Sequence, residues 1–521
     1  MKTIFFMKNI YFFILFGLAF LTKDHYYPWT TYESELYVFY ASSFFCLVFL
    51  YTNKKTIRLD ITHLFFILLF ICSFSSYSYY EFKQYFYIFN LYLINLLIFN
   101  IVIKNYIYDN SKIIDIFVSI ILFIGIVSAI FALYQWMGVG QSYAWLYPVY
   151  ENRFSANLAQ PNHLATLLLI SLFACLFFYN KLKINLFLLF VPLLIFSMVL
   201  TQSRTVWLAL VCIFFMILIK WKSINQKVKY IIFLLIPMYM IFGYFLSQNN
   251  AVNIADRATS GFSRLLMWED FFKVIPYLKF WGVGWKNIEY YQFLYGDKSP
   301  EYLMSYHNIL FDLIVLFGFL GLIFFAYIFL KLLVVFKKID NTSDFLIFTM
   351  LFVIINHSLL EYPLFYNYFL AIFLIFLFYL LIKYNPDKNI LFINRNVFSI
   401  FVVFSIILTF FYTQYFEKNR SYYRSVFLGK CVNDFEKNMF FDEFNNLSLI
   451  NCEKNILPEN LSKFEAGLLH RPAPSNILKL VYVYHQLGEY HKRDILLNRY
   501  NVKYFPKYTL DEVLENKFFD R

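Results

Sequence analysis

The sequence predicts an all-α, polytopic membrane protein of about 13 transmembrane helices, with an external loop helix and a C-terminal helical soluble domain. Three observations lead there. Of 521 residues, 60% are hydrophobic and only 15% are charged, whereas a soluble chain is about 45–50% apolar and roughly 25% charged. The apolar residues come in long blocks, unlike the alternating segments of an outer-membrane barrel. Lys and Arg gather at alternate block ends, as expected when cytoplasmic loops collect the basic residues. A soluble enzyme, a disordered chain and a coiled coil are excluded.

A helix that crosses a bilayer needs about 20 mostly apolar residues. On that measure thirteen segments qualify, at roughly 4–22, 36–52, 62–80, 84–103, 113–136, 163–180, 184–201, 205–220, 229–247, 308–336, 345–360, 364–382 and 396–414. The first has the basic start and apolar run of a signal peptide. It lacks a clear small-residue cleavage site, so it reads as an uncleaved first helix. With the N-terminus inside, the cytoplasmic segments and their flanks carry 19 Lys/Arg; the short external loops carry only Lys23, Lys83, Arg153 and Arg204. The net charge of +12 is then topological. The expected partner is a lipid bilayer, with no nucleic acid.

This orientation leaves two large segments outside. A transmembrane domain, 1–414, contains the loop 248–306; a helical domain, 415–521, follows it. In the loop, Leu265, Trp268, Phe272 and Ile275 recur at helical spacing, interrupted by Glu269, Asp270 and Lys273. The pattern fits a helix on the membrane surface or roofing a cavity, ended by Pro276 and followed by a turn at Gly282 and Gly284. In the tail, Asn476–Tyr504 reads as two amphipathic helices. Their small residue and later proline are similar to a tetratricopeptide unit, but no second copy is evident, and a small helical domain is the simpler reading. Cys46, Cys72, Cys175 and Cys212 lie in apolar spans as packing residues. Cys431 and Cys452 lie in the tail, where oxidising conditions permit a bridge.

Polar groups cluster at span ends on the outer side, not at the bilayer midplane where transporters place charge. Five stretches share that side: "AQPNHLA" (159–165), "TQSRTVWLAL" (201–210), "FSRLLMWED" (262–270), "SYHNILFDL" (305–313) and "NHSLLEYPLFYNYFL" (356–370). They suggest one external cavity. Arg204 sits at a helix start, where a cation opposes the helix dipole unless an anion joins it. Arg264 is a candidate second clamp, and two guanidinium groups suit a diphosphate. The alternatives are an arginine snorkelling to lipid headgroups and a solvated surface charge. His307, where the loop re-enters the membrane, is a candidate base for a hydroxyl; an interfacial role is the alternative. His357 and Glu361, four residues apart, can share a helix face before Pro363 ends it, where they cap the turn or orient each other. Gln160, Asn162 and His163 accompany Pro161 at a helix start, where they bind or simply signal the start.

Together, the motifs "QPNHLA", "QSRTVWLAL", "FSRLLMWEDFFKVIPYLKFWGVGW", "SYHNILFDLIVLFGFLG" and "NHSLLEYPLFYNYFL" resemble the bacterial protein O-oligosaccharyltransferases of the PglL type. These belong to the superfamily of O-antigen ligases and polymerases. The resemblance runs from about residue 130 to 415, and the external tail is similar in placement. It implies transfer of a preassembled glycan from an undecaprenyl-diphosphate carrier to Ser/Thr hydroxyls of exported proteins such as pilins. It implies Arg204 and Arg264 at the diphosphate and His307 as the essential histidine. Gln160, Asn162, His163, His357 and Glu361 are implied in substrate binding. Neither a metal nor another cofactor is implied. The site and C-terminus would face the periplasm from a bacterial inner membrane. The rivals are an O-antigen ligase or polymerase acting on lipid-linked glycans, a metal-dependent transferase using Asp24, His25, Glu33 and Glu35, and a flippase or transporter, for which Asp312 is the nearest membrane charge.

Overall fold

The computed structural model describes residues 2–25, 29–53, 56–79, 83–139, 145–149, 153–248, 262–427 and 458–515. Each predicted apolar segment is occupied by a helix. They are α1 (Lys2–Leu21), α2 (Tyr32–Thr52), α3 (Ile61–Ser73), α4 (Lys83–Asp109), α5 (Ile113–Trp136), α6 (Pro161–Phe177), α7 (Ile184–Leu200), α8 (Arg204–Ile219) and α9 (Gln226–Gln248). After the loop helices α10 (Phe262–Val274) and α11 (Asn287–Tyr295) come α12 (Ile309–Lys338), α13 (Thr342–Ser358), α14 (Asn367–Tyr384) and α15 (Arg395–Phe427). The tail adds α16 (Leu461–His470), α17 (Pro474–Gln486), α18 (Tyr490–Lys503) and α19 (Leu510–Glu515). Among the described residues, eight helices are long and apolar enough to cross a membrane. Five more, in α1, α6, α7, α8 and α13, are apolar but only 10–17 residues long. The chain is an all-α, polytopic membrane protein. Cys431 and Cys452 lie outside the described residues; Cys46, Cys72, Cys175 and Cys212 are free thiols.

The chain packs as two compact units. The first comprises residues 1–64, 97–260 and 326–403, and the second 65–96, 261–325 and 404–521. In the first unit α6 is the central helix, buried from His163 to Leu176. It packs against α5, α7, α8 and α13. Gly125 makes the α5 contact possible, because a Cβ there would lie 1.9 Å from Ser171 Oγ. Ser171 instead donates to Ile121 O (3.0 Å), which satisfies its hydroxyl inside the core.

A two-stranded antiparallel ribbon also belongs to the first unit, with β1 (Ile57–Asp60) paired to β2 (Asn389–Ile393). The sequence reading did not anticipate it, because each strand is a short segment between spans with no partner nearby in the chain. Beside it lies a buried charge network. Asp387 accepts from Lys331 Nζ (2.5 Å) and Thr62 Oγ1 (2.5 Å), with Tyr327 Oη at 3.0 Å and Lys104 Nζ at 3.4 Å. Lys104 also pairs with Asp60 at 2.6 Å, and Asp60 meets His63. Burial pushes both carboxyls up. The Lys331 and Thr62 hydrogen bonds with the two lysine charges for Asp387, and His63 and Lys104 for Asp60, outweigh it and hold both below the usual aspartate range.

In the second unit, Phe271, Val283, Ile288, Tyr306 and Val315 form a core linking the loop to α12. The expected uninterrupted span at 308–336 is in fact broken at Gly318, where φ is 59° and ψ is −137°. The loop mends the break. Val283 N–H donates to Val315 O (2.8 Å), and Phe319 N–H donates to Phe280 O (2.9 Å). Cys72 adds its thiol to Trp281 O at 3.4 Å, so it does more than pack. Irregular backbone in an apolar setting survives only when such groups are satisfied by protein. A Cβ at residue 318 would meet Phe280 O at 1.9 Å.

Two outcomes follow from these contacts. Gly318→Ala is expected to destabilise by at least about 1–3 kcal/mol through strain and clash, read as a lower unfolding temperature in detergent. Asp387→Asn is expected to cost about 3–5 kcal/mol at neutral pH, as when one partner of a buried pair is removed. A carboxyl depressed on folding stabilises above its unfolded value of about 3.9 and loses that contribution as pH falls through its folded value. The stability gap between the wild type and Asp387→Asn should therefore be full above about pH 4 and close in stronger acid. A gap independent of pH would contradict the charge network.

Candidate active site

In the first unit, Gln160, Asn162, His163, His357 and Glu361 come together around the start of α6 and the end of α13. Gln160 is the N-cap of α6, its side chain accepting from Asn162 N–H (2.5 Å) and His163 N–H (3.1 Å). Pro161 fills the first helical position, where a missing N–H costs nothing. Asn162 then bridges two charged groups. Its Oδ1 accepts from Arg153 Nη2 (3.2 Å), and its Nδ2 donates to Glu361 Oε1 (3.3 Å). His163 is buried against the Tyr366 ring (4.3 Å between centroids), with Tyr368 Oη 3.4 Å from its Nδ1. His357 Nδ1 lies 2.7 Å from Thr166 Oγ1, and its ring is 5.4 Å from that of His163.

The helix carrying His357 ends at Ser358, not at Pro363 as the sequence suggested. Glu361 lies beyond it, in a turn closed by its N–H to His357 O (2.9 Å). Burial and the charges of Tyr362, Glu35 and Glu361 push the Tyr366 phenol well above its usual range, so it stays neutral beside this cluster. Arg153, Thr166, Tyr366 and Tyr368 escaped the sequence reading; only the position of Arg153 in an external loop marked it.

Arg204 also belongs to the first unit, exposed as the first residue of α8. Ser203 precedes it, with its Oγ 2.7 Å from Thr205 Oγ1, and Gln202 takes a left-handed φ of 52°. Asn356 Nδ2 donates to Thr205 O (3.0 Å), tying this helix start to α13. Arg153 Nε reaches Thr201 O at 3.4 Å.

Arg264 and His307 belong to the second unit, on elements packed against each other. Arg264 is half-buried in the first turn of α10. One turn further on, Trp268 meets Phe311 edge to face (5.9 Å), and Phe271 stacks on Phe311 at 4.0 Å. Phe311 is in the first turn of α12, directly after His307. The apolar stripe of α10 lies mostly outward, as for a helix on a membrane surface. Met267, Asp270, Phe271 and Val274 point inward, while Leu265 and Phe272 are 50% and 62% exposed. The expected apolar stripe is thus the outward one, and Asp270, read as a polar interruption, is wholly enclosed.

Asp270 is held by five donors. The backbone N–H groups of Asp297, Lys298 and Ser299 reach it at 2.8, 2.7 and 3.0 Å. Gln292 Nε2 lies at 3.1 Å and Lys503 Nζ at 2.9 Å. Lys503 comes from the tail, and its side chain is also fully buried. Burial lowers its pKa while the Asp270 charge pulls it back up, with a net depression. Arg499 donates to the carbonyl oxygens of Phe293 (2.6 Å) and Gly296. α17 and α18 form the predicted helical pair, and α18 is thus pinned onto the loop.

His307 sits in a left-handed turn with φ 54°, a conformation that costs a non-glycine residue about 1–3 kcal/mol. Ser305, Tyr306 and Asp312 surround it. Ser305 Oγ donates to Asp312 Oδ2 (2.6 Å), Tyr306 N–H donates to Asp312 Oδ1 (2.8 Å), and His307 N–H donates to Ser305 Oγ (2.9 Å). Tyr306 is fully buried, and burial with the Asp270 and Asp312 charges keeps its phenol well above the usual range. The signal for Asp312 was present in the sequence as a lone charge inside an apolar run.

Two residues of the metal-dependent rival, His25 and Glu35, are engaged in hydrogen bonds. His25 sets Nδ1 2.9 Å from Thr30 O and Nε2 2.8 Å from Asn157 O, and Glu35 accepts from Asn367 N–H (3.2 Å). Among the described residues no group of three or more His, Cys, Asp or Glu is placed to hold a metal ion.

Residues 188–326, which include Arg204, Arg264 and His307, match the O-antigen ligase family. The chain is also similar to two protein O-oligosaccharyltransferases. Residues 345–513, with His357, Glu361 and Lys503, match the C-terminal part of the virulence factor membrane-bound polymerases. A ComP-specific O-oligosaccharyltransferase of Acinetobacter baylyi is 32% identical over 257 residues, 47% of this chain and 47% of its own. A general O-oligosaccharyltransferase of the same organism is 26% identical over 382 residues, 68% of this chain and 66% of its own. The chain thus spans about half the length of the first relative and just under two thirds of the second. No solved structure matches it.

Lys503→Met is expected to leave Asp270 buried without its counter-charge and to destabilise by about 3–5 kcal/mol. Adding Asp270→Asn should recover part of that loss. Unfolding temperatures of the two single variants and the double variant measure the coupling, and strictly additive losses would show that the pair is not coupled.

Proposed function

We propose that this chain is a glycosyltransferase that moves a preassembled oligosaccharide from an undecaprenyl-diphosphate carrier to Ser/Thr hydroxyls of exported proteins such as pilins. The observation that carries the proposal is the pair of O-oligosaccharyltransferase relatives, together with an O-antigen ligase match that contains Arg204, Arg264 and His307. The excess of basic residues on one side of the spans supports a site and C-terminus facing the periplasm from a bacterial inner membrane.

The chemistry is a single displacement. The acceptor oxygen bonds to the anomeric carbon of the first sugar, and the bond from that carbon to the phosphate oxygen breaks. The electron pair leaves with the diphosphate, and the hydroxyl proton goes to the His307 imidazole. A serine hydroxyl is a weak nucleophile, so a positioned base helps it. Arg204 and Arg264 neutralise charge that grows on the leaving diphosphate, where fixed cations act most strongly. Gln160, Asn162, His163, His357 and Glu361 bind the substrate. The exposed apolar face of α10, with Leu265 and Phe272, suits the bilayer from which a lipid carrier arrives.

The match of residues 345–513 to membrane-bound polymerases favours a second reading, an O-antigen polymerase or ligase acting on lipid-linked glycans. Mass spectrometry of exported proteins with and without the gene separates the two. Glycosylated Ser/Thr peptides that vanish on deletion support protein transfer; unchanged peptides with shortened lipid-linked glycans support the polymerase. His307→Ala should lower transfer by about 10²–10⁴-fold, the range for a lost general base. Arg204→Ala should lower it by about 10²–10³-fold. Both should leave the unfolding temperature unchanged, and normal product from either would remove that residue from the scheme.

A further inference from the structure

We infer that Asp312 is a positioning residue, which holds His307 in its left-handed turn by gripping the two residues before it; the inference rests on the proposed role of His307. A carboxylate in the first turn of a membrane-spanning helix is costly unless donors surround it. Asp312 is fully buried, and both of its oxygens are engaged. Oδ1 takes the Tyr306 N–H at 2.8 Å, and Oδ2 takes the Ser305 hydroxyl at 2.6 Å. Ser305 Oγ in turn accepts the His307 N–H at 2.9 Å. The carboxylate therefore controls the backbone on the approach to His307 without being its direct hydrogen-bond partner in this chain of contacts.

The strain at His307 makes that grip consequential. A residue with φ 54° relaxes toward the ordinary right-handed or extended regions unless its neighbours prevent it. Asp312 also anchors the start of α12, since its own N–H donates to Asn308 O (3.0 Å). Negative charge is favourable at a helix N-terminus, so the same group suits both tasks. The Phe271–Phe311 stack holds this first turn against α10, which carries Arg264. Removing the grip should let the imidazole move while the surrounding core stays packed. A displacement of about 1 Å is enough to cost roughly 10²-fold in rate.

The test uses the full-length protein in membrane vesicles, with lipid-linked oligosaccharide extracted from host membranes as donor and an exported acceptor protein. Asp312→Ala is expected to lower kcat by about 10²-fold while KM for the donor changes by less than about twofold. Asp312→Asn keeps an acceptor for Tyr306 N–H and should recover much of the loss. Ser305→Ala keeps the Asp312 charge and its bond from Tyr306 N–H, removes the hydroxyl that joins Asp312 to His307 N–H, and should lower kcat by about tenfold in a protein that still folds. If Asp312→Ala does not fold, Ser305→Ala decides. Wild-type kcat in a folded Asp312→Ala or in Ser305→Ala, while His307→Ala is inactive, overturns the positioning role. Activity retained by His307→Ala overturns the role of His307 itself, and with it the inference.

Discussion

A carboxylate enclosed by apolar surroundings must be met by donors or by an opposite charge, and that constraint organises this protein. Asp270, Asp312, Asp344 and Asp387 are all enclosed; Asp270, Asp344 and Asp387 draw together segments far apart in the chain, while Asp312 holds the turn just before it. Asp270 joins α10, the turn at 297–299 and Lys503 of the tail. Asp344 gathers Asn341 with Tyr379, Lys383 and Tyr384 of α14. Asp387 collects Thr62, Lys104, Tyr327 and Lys331. A pair of this kind adds little over a well-packed apolar alternative, but it is severely penalised when one partner is lost. It therefore specifies which segments meet, where apolar contacts alone permit many arrangements.

The same rule governs the backbone. The break in α12 frees groups that no water can serve, and the loop supplies partners through Val283 and Phe280. At the start of α6, Gln160 does the equivalent work for two N–H groups. At His307 a carboxylate and a hydroxyl fix a turn that is unfavourable by itself. Rigid support of this sort suits transfer chemistry. A hydroxyl, an anomeric carbon and a diphosphate need fixed partners more than they need flexible ones.

The tail gains meaning from this packing. Lys503 and Arg499 reach the loop elements α10 and α11, and Tyr504 stacks on Phe293 at 6.0 Å. The tail is thus part of the support for the helix that carries Arg264. A loosely tethered module would present solvated lysines there; Lys503 is instead as buried as any apolar core residue.

Taken alone, the amino-acid order determined the fold class, the positions of the apolar helices among the described residues and the motifs by which the chain resembles its relatives. Each of these is a local property. Hydropathy over about 20 residues identifies a span, and a short motif such as "SYHN" identifies itself. It did not determine which side of α10 turns inward, the interruption at Gly318, the β1–β2 ribbon or the work of Asp270 and Asp312. Apart from Asp312, whose partners Ser305 and Tyr306 are near in the chain, those were decided by remote partners: Lys503 lies 233 residues from Asp270, and β2 lies more than 300 from β1. Helical spacing shows which residues share a face. Which face is buried depends on the surface that packs against it, and only the tertiary structure supplies that surface.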